Sequence, residues 1–204
     1  MTTHVMLDVD GVVISGHRAD EELWTHHMQS DLGLDPAALV EGFFQRDWIE
    51  VVTGEKDLIP VLQTALDRMK AEVTAETLTE YWFAKDARIV EPVIEDCQRL
   101  RELGLTVILT TNQEHRRAAY LMQDMGLGKF VDGIVYSAQA GAQKPARAFF
   151  DFAMARTGAR AKAHLLVDDH LANVDAARTA GWQAHHWTSG HRLWDVVKSE
   201  RRDH

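Results

Sequence analysis

Cysteine occurs once in the 204 residues, at Cys97, so no disulfide can close within the chain. Positive charge is scarce: Lys and Arg number 22 against 31 Asp and Glu, a formal net charge of -9 with neutral histidine. That balance argues against a nonspecific grip on nucleic acid or on an anionic membrane. An anionic ligand must then be held by local charge or by a metal. No apolar run approaches the roughly 18 residues that a spanning helix needs. The opening MTTHVMLDVD also lacks the charged and apolar regions of a secretion signal, so a cytoplasmic location is expected. Internal repeats, low-complexity stretches and Pro- or Ser-rich linkers are missing as well. What remains, 46% apolar and 26% charged residues, is the composition of a globular chain with a sizeable core, not of a disordered or collagen-like one.

Hydrophobic patterning predicts a short buried strand at residues 4–9 (HVMLDV), ended by a turn at Asp10-Gly11. Further strands are predicted at residues 105–111, 130–136, 163–167 and 182–187. Helical periodicity lies between them: Val93, Cys97, Leu100 and Leu103 on one face, Ala118, Leu121, Met122 and Met125 on another, and residues 145–157 ending at Gly158. Pro92 and Pro145 suit a first helical turn. Strands alternating with such helices predict an α/β fold, a doubly wound parallel sheet covered on both faces. Residues 15–87 break the alternation. They read as helices starting near Asp20, at Asp35-Pro36, near Lys56 and near Ala75, with Leu58, Leu62, Leu66 and Met69 in one stripe. The expected organisation is a core of residues 1–14 and 88–204 with an inserted helical cap of residues 15–87, hinged near Ser15 and Ala87.

Ligands of an open parallel sheet bind outside the carboxyl ends of its strands. Three of those ends are polar: Asp8 and Asp10 after the first, Thr110, Thr111 and Asn112 after the second, Asp168 and Asp169 after the fourth. Lys144 stands in the loop after the third, before Pro145. Two-residue spacing sends Asp8 and Asp10 toward one side. Four carboxylates around one crevice raise one another's pKa unless a cation neutralises them, and an all-oxygen set favours Mg²⁺. With a hydroxyl from Thr111 and the Lys144 ammonium for phosphate oxygens, this is equipment for phosphoryl transfer.

In order, LDVDGVV, VILTTN, GAQKPARAFF and LLVDDHLANVDAARTAG resemble the four motifs of the haloacid dehalogenase-like (HAD) hydrolase superfamily. The helical insert resembles the cap of its helical-cap subfamily. The DD pair, with WIEVVTGEKDLIPVL in the insert, looks most like the branch of sugar-1-phosphate phosphatases. The resemblance implies an Mg²⁺-dependent phosphatase acting on a small phosphate ester, with no nucleic acid or membrane partner. It implies Asp8 as nucleophile, Asp10 as acid and base, and Thr111, Lys144 and donors near Asn112 on the phosphoryl oxygens. Asp8, Asp10 through its carbonyl, and Asp169 would hold the metal, with Asp168 in support. Where relatives carry a further acid four residues after the metal ligand, this chain has Asn173.

Rival readings share the motifs. A phosphosugar mutase uses the same nucleophile and acid; a 2-haloacid dehalogenase lacks an acid at the position of Asp10; a phospho-receiver-like module places its acid pair on the first strand and has no helical insert. Simpler roles also stand beside the functional ones. Asp168 and Asp169 suit a helix cap, Cys97 a small buried hydrophobe, and Glu114 to Arg117 the start of a solvated helix. The histidines, with His170 and the pairs His26-His27 and His185-His186 foremost, are expected at the surface or in packing, since adjacent ones diverge. The tryptophans read as packing residues, though Trp48 precedes the loop from Val51 to Asp57, the expected seat of specificity, and is placed to line a substrate pocket; His17 and Arg18 stand near the cap entrance.

Overall fold

Every run expected to be a strand is one in the computed structural model, which describes residues 2–16, 23–188 and 190–202, the side chains of 201 and 202 excepted. β1 (His4–Leu7), β2 (Thr106–Thr111), β3 (Gly133–Tyr136), β4 (His164–Asp168) and β5 (Gln183–His186) form one sheet in the order β3-β2-β1-β4-β5. All four neighbouring pairs are parallel. The winding direction reverses between β1 and β4, and that is where a crevice opens in such sheets.

Alternation along each strand divides the core in two. Val5, Leu7, Val107, Leu109, Leu165 and Val167 pack on one side with α6 (Glu91–Glu102), α7 (His115–Met122) and α11 (Leu193–Arg202). Met6, Val135, Leu166 and Ala184 pack on the other with α9 (Arg147–Thr157) and α10 (Leu171–Thr179). Cys97 is fully buried on α6, as expected, and burial pushes its thiol up to about 12.

Between β1 and β2 the chain makes α1 (Met28–Leu32), α2 (Pro36–Leu39), α3 (Trp48–Val52), α4 (Leu58–Met69) and α5 (Ala75–Lys85), which gather their own apolar cluster. Their starts have local causes: the Asp35 side chain accepts from Ala37 N, and Thr74 accepts from Thr77 N. Leu58, Leu62 and Leu66 are buried on α4 and Met69 packs at its edge. The two crossings run side by side, with Ser15 N donating to Arg88 O at 2.9 Å and Val90 N to Val13 O at 2.9 Å. The helix expected near Asp20, and His17 and Arg18, lie outside the described residues.

Some expectations need correction. The first strand stops at Leu7, so Asp8 and Asp10 occupy the following turn. Leu103 lies past the end of α6 and is 57% exposed, because the helix closes at Glu102 before completing the stripe. α9 starts at Arg147, leaving Pro145 ahead of it in a cis peptide with Lys144. Glu114 and Arg117 are buried, not solvated. Arg117 donates to the carbonyls of Phe83 and Asp86, pairs with the Asp86 carboxylate at 3.2 Å and faces the rings of Phe83 and Tyr120. The terminal guanidinium nitrogens meet acceptors and the faces meet rings, which offsets much of the cost of burial, while Nε is buried without a partner among the described residues; the side chain ties α7 to the exit of the helical insert.

Candidate active site

The chain leaves β1 through a tight turn in which the Val9 carbonyl accepts from Val12, Val13 and Ile14 N. This turn carries Asp8 inward, 6% exposed, with Oδ1 accepting from Val9 N at 2.7 Å. Gly11 adopts φ +79°, and a Cβ there would stand 2.2 Å from Asp169 Oδ2. A glycine is therefore required for the turn after β1 to meet the acid after β4.

Lys144 is the centre of the constellation. Its ammonium lies 2.9 Å from Asp8 Oδ1 and 2.7 Å from Asp168 Oδ2, and donates to Thr110 O at 2.8 Å. All three ionic side chains are buried. Burial pushes the Asp8 carboxyl up to about 8, with Asp168 and Asp10 adding to the rise and Lys144 opposing it. Asp168 is also desolvated, yet Lys144, His170 N–H and Asn173 hold its carboxyl below the ordinary range. Burial works against the Lys144 charge, and the two carboxylates outweigh it, holding the ammonium above its usual value. One cation thus faces an excess of acids, and a further positive charge would hold Asp8 ionised.

Asparagine and glutamine side chains hold these groups in place. Asn112 accepts from Lys144 N at 2.8 Å and donates to Lys144 O at 3.0 Å. Both ends of its amide are committed to the Lys144 loop, so its expected place among the substrate-binding side chains becomes that of a clamp. Gln113 donates to Asp10 Oδ2 at 2.7 Å, while its carbonyl accepts from Ala138 N and Ser137 Oγ. Asn173 donates to both oxygens of Asp168 at 3.0 and 3.1 Å. Its departure from the family pattern has a physical account here, since an acid at this position would face Asp168 with a like charge. Sequence reasoning missed Gln113 and Arg117; the one usable signal for Gln113 was its place just past a polar strand end.

The sheet brings Asp8, Asp10, Lys144 and Asp168 together as expected. Thr111 is buried at the end of β2, and its hydroxyl makes no hydrogen bond to the described residues. Asp169 stands against Gly11, and one ligand atom from each of Asp8, Asp168, Asp169 and His170 lies within 4.8 Å of the others. His170, expected at the surface or in packing, contacts Asp169 Oδ1 through Nδ1 at 2.8 Å. His186 reaches the Asp169 carbonyl through Nε2 at 2.9 Å. The helical insert meets the core at Gly54, φ +76°, where a Cβ would lie 2.4 Å from Ala138 O at α8 (Ser137–Ala140). Trp48 is half-buried among the rings of Phe43, Phe44 and Trp82.

Comparison with known proteins follows the same lines. The model of the family described as haloacid dehalogenase-like hydrolase matches residues 2–181. A phosphoglycolate phosphatase of Pseudomonas fluorescens is 27% identical over 87% of this chain and 66% of its own length, so the chain spans about two thirds of that relative. A phosphoglycolate phosphatase of Pseudomonas putida is 28% identical over 96% of the chain and 73% of its own length. Among solved structures, a HAD family enzyme of Bacteroides thetaiotaomicron, in complex with magnesium and inorganic phosphate, superimposes with a TM-score of 0.80 at 16% identity. That alignment covers 96% of this chain and 99% of the other.

Proposed function

Because the chain belongs to the haloacid dehalogenase-like hydrolase family, we propose that it is a phosphatase, removing phosphate from a small phosphorylated metabolite through an aspartyl-phosphate on Asp8. The observation that carries this reading is the buried bridge of Lys144 between Asp8 and Asp168, beside an Asp10 held by Gln113. A lysine bound to the nucleophile's own carboxylate is placed to hold phosphoryl oxygens as they approach that carboxylate. The two Asp8 bonds fall on Oδ1, and Oδ2 accepts none from the described residues.

In the first step an Asp8 oxygen bonds to phosphorus while the bond to the ester oxygen breaks, and Asp10 gives its proton to the leaving alkoxide. In the second, Asp10 takes a proton from water as its oxygen bonds to phosphorus, the acyl-phosphate bond breaks, and phosphate leaves with Asp8 regenerated. Gln113 orients Asp10 for both transfers. Thr111, Lys144 and backbone donors near Asn112 bind the phosphoryl oxygens.

The acid-rich donor set fits Mg²⁺, which would be held by Asp8, Asp169 and the Asp10 carbonyl, with Asp168 in support. Gly11 leaves the space that a side chain would take from Asp169. When bound, the ion supplies the positive charge that keeps Asp8 ionised and neutralises phosphoryl oxygens. Residues 15–87 act as a cap over the crevice of a core made by residues 1–14 and 88–204, excluding water until Asp8 is phosphorylated. Specificity lies in the loop from Val51 to Asp57, which meets the core at Gly54.

Phosphate release from an aryl phosphate, with Mg²⁺ and with chelator, tests this reading in the wild type and in Asp8→Asn. Metal-dependent release that vanishes in the variant is expected; metal-independent release, or release surviving in Asp8→Asn, overturns it. A panel containing phosphoglycolate and sugar phosphates then identifies the ester. Substitution of Thr53 or Lys56 should change relative rates across that panel, and unchanged ratios would remove the loop from specificity.

A further inference from the structure

His170 follows the acid pair directly and belongs to none of the roles assigned above. Its backbone is fixed on both sides: the N–H donates to Asp168 Oδ1 at 2.9 Å, and the carbonyl accepts from Asn173 and Val174 N at the start of α10. The ring therefore projects from a held position, with Nδ1 at 2.8 Å from Asp169 Oδ1. Neighbouring ligands of an octahedral ion at about 2.1 Å stand about 3.0 Å apart. The imidazole and the carboxylate are thus spaced like two adjacent donors to one ion. The four-residue grouping within 4.8 Å places Asp8 on the same volume.

Asp168 is the acid least able to serve as a donor there. Its Oδ2 holds Lys144 and a hydrogen of Asn173, and its Oδ1 receives His170 N–H and Asn173. The side chains left to face an ion are Asp8, Asp169 and His170. We infer that His170 is a nitrogen donor to the divalent ion of this site, giving a mixed nitrogen and oxygen set that favours borderline transition ions over Mg²⁺. This rests on the reading of Asp8 and Asp169 as ion ligands. Imidazole suits cobalt, nickel and zinc ions, whereas Mg²⁺ keeps to oxygen and water. An all-oxygen site would lack the preference that His170 adds. His186, at 2.9 Å from the Asp169 carbonyl through Nε2, steadies the backbone of the neighbouring donor.

The test uses the full chain stripped with chelator and titrated with Mn²⁺, occupancy being followed by loss of the free-ion electron paramagnetic resonance signal. Electron spin echo modulation of the bound ion then reports a directly coordinated imidazole nitrogen. Wild type should bind Mn²⁺ and show that modulation. His170→Ala and His170→Gln should keep a bound ion and lose it; the glutamine variant retains a hydrogen-bonding partner for Asp169, which separates ligation from mere support. The preference for Co²⁺ over Mg²⁺, measured by displacement of Mn²⁺, should fall about tenfold in both variants. Bound Mn²⁺ without imidazole modulation in wild type, or with it intact in the variants, overturns the role of His170 and leaves the ion site standing. Absence of Mn²⁺ binding in wild type overturns the ion site and this inference together.

Discussion

The sheet core and the helical insert bury opposite kinds of side chain. At the carboxyl edge of the sheet, Asp8, Lys144 and Asp168 are sealed together with Gln113 and Asn173. Among the described residues from 23 to 85, Thr79 alone is both polar and buried, and its hydroxyl is satisfied by Ala75 O at 2.7 Å. The insert is filled instead with rings: Trp24 stacks on Trp82 at 5.4 Å, and Phe43, Phe44 and Trp48 meet edge to face. Its ion pairs, Arg68 with Asp47 and Lys56 with Glu50, stay in contact with solvent. Burying opposed charges costs desolvation that only close partners offset, whereas aromatic packing stabilises through apolar area and ring contacts, here even with the indole Nε1 of Trp82 buried without a hydrogen-bond partner among the described residues. The core therefore gives up stability to hold a charged constellation in place, whereas the insert is held together by its packed rings. Arg117 is the place where the two strategies meet, a charge buried by core and insert jointly.

The largest test of that division is Lys144→Met. It leaves Asp8 and Asp168 facing each other without their cation, and should cost roughly 4 kcal/mol in urea unfolding with chelator present, while reducing phosphate release to background. A variant as stable as wild type would show that the core does not depend on this charge balance. Phe43→Ala, a fully buried ring of the insert, should cost about 3 kcal/mol while leaving phosphate release from an aryl ester measurable wherever the variant is folded. Loss of turnover as complete as that of Lys144→Met would erase the distinction between the two regions.

The smallest effect is a pH dependence at the far end of the sheet. His164 is fully buried, stacks on Trp182 at 4.4 Å and contacts Thr157 Oγ1 and Arg160 O. Burial, followed by the neighbouring His4, holds its pKa below the ordinary value of 6.5. The unfolded chain thus takes the proton first. The stability carried by neutral His164 is complete above 6.5 and is lost as pH falls through the lower folded value. Urea midpoints measured from pH 7.5 to pH 5 should fall less steeply in His164→Gln than in wild type. Equal slopes would assign the acid sensitivity to other groups.

Much of the proposed site was legible because its acids and Thr111 stand at or just past strand ends, and strand ends are marked by short apolar runs that need only local spacing to recognise. Lys144, in a loop beyond β3 and α8, is legible instead from its place before Pro145 in the run GAQKPARAFF. The holding roles of the amides are not legible. Asn112 acts on a loop 32 residues away and Gln113 on a carboxylate 103 residues away, and an amide has the same identity in a sequence whether it faces solvent or a buried charge. Arg117 is misread for the same reason: it reads as a solvated helix residue until Phe83 and Asp86 arrive. His170 is exposed as expected, and only the fold shows that Asp8 stands alongside it.

By itself, the sequence determined the parallel sheet, the helical insert and the residues proposed to react, because periodicity and strand-end chemistry act over a few residues. The tertiary structure alone decided that Asp8 and Asp168 would share the buried Lys144 ammonium, and which amides would hold them. Those outcomes depend on distances between segments far apart in the chain, and on the burial that turns a weak charge interaction in water into a strong one inside the protein.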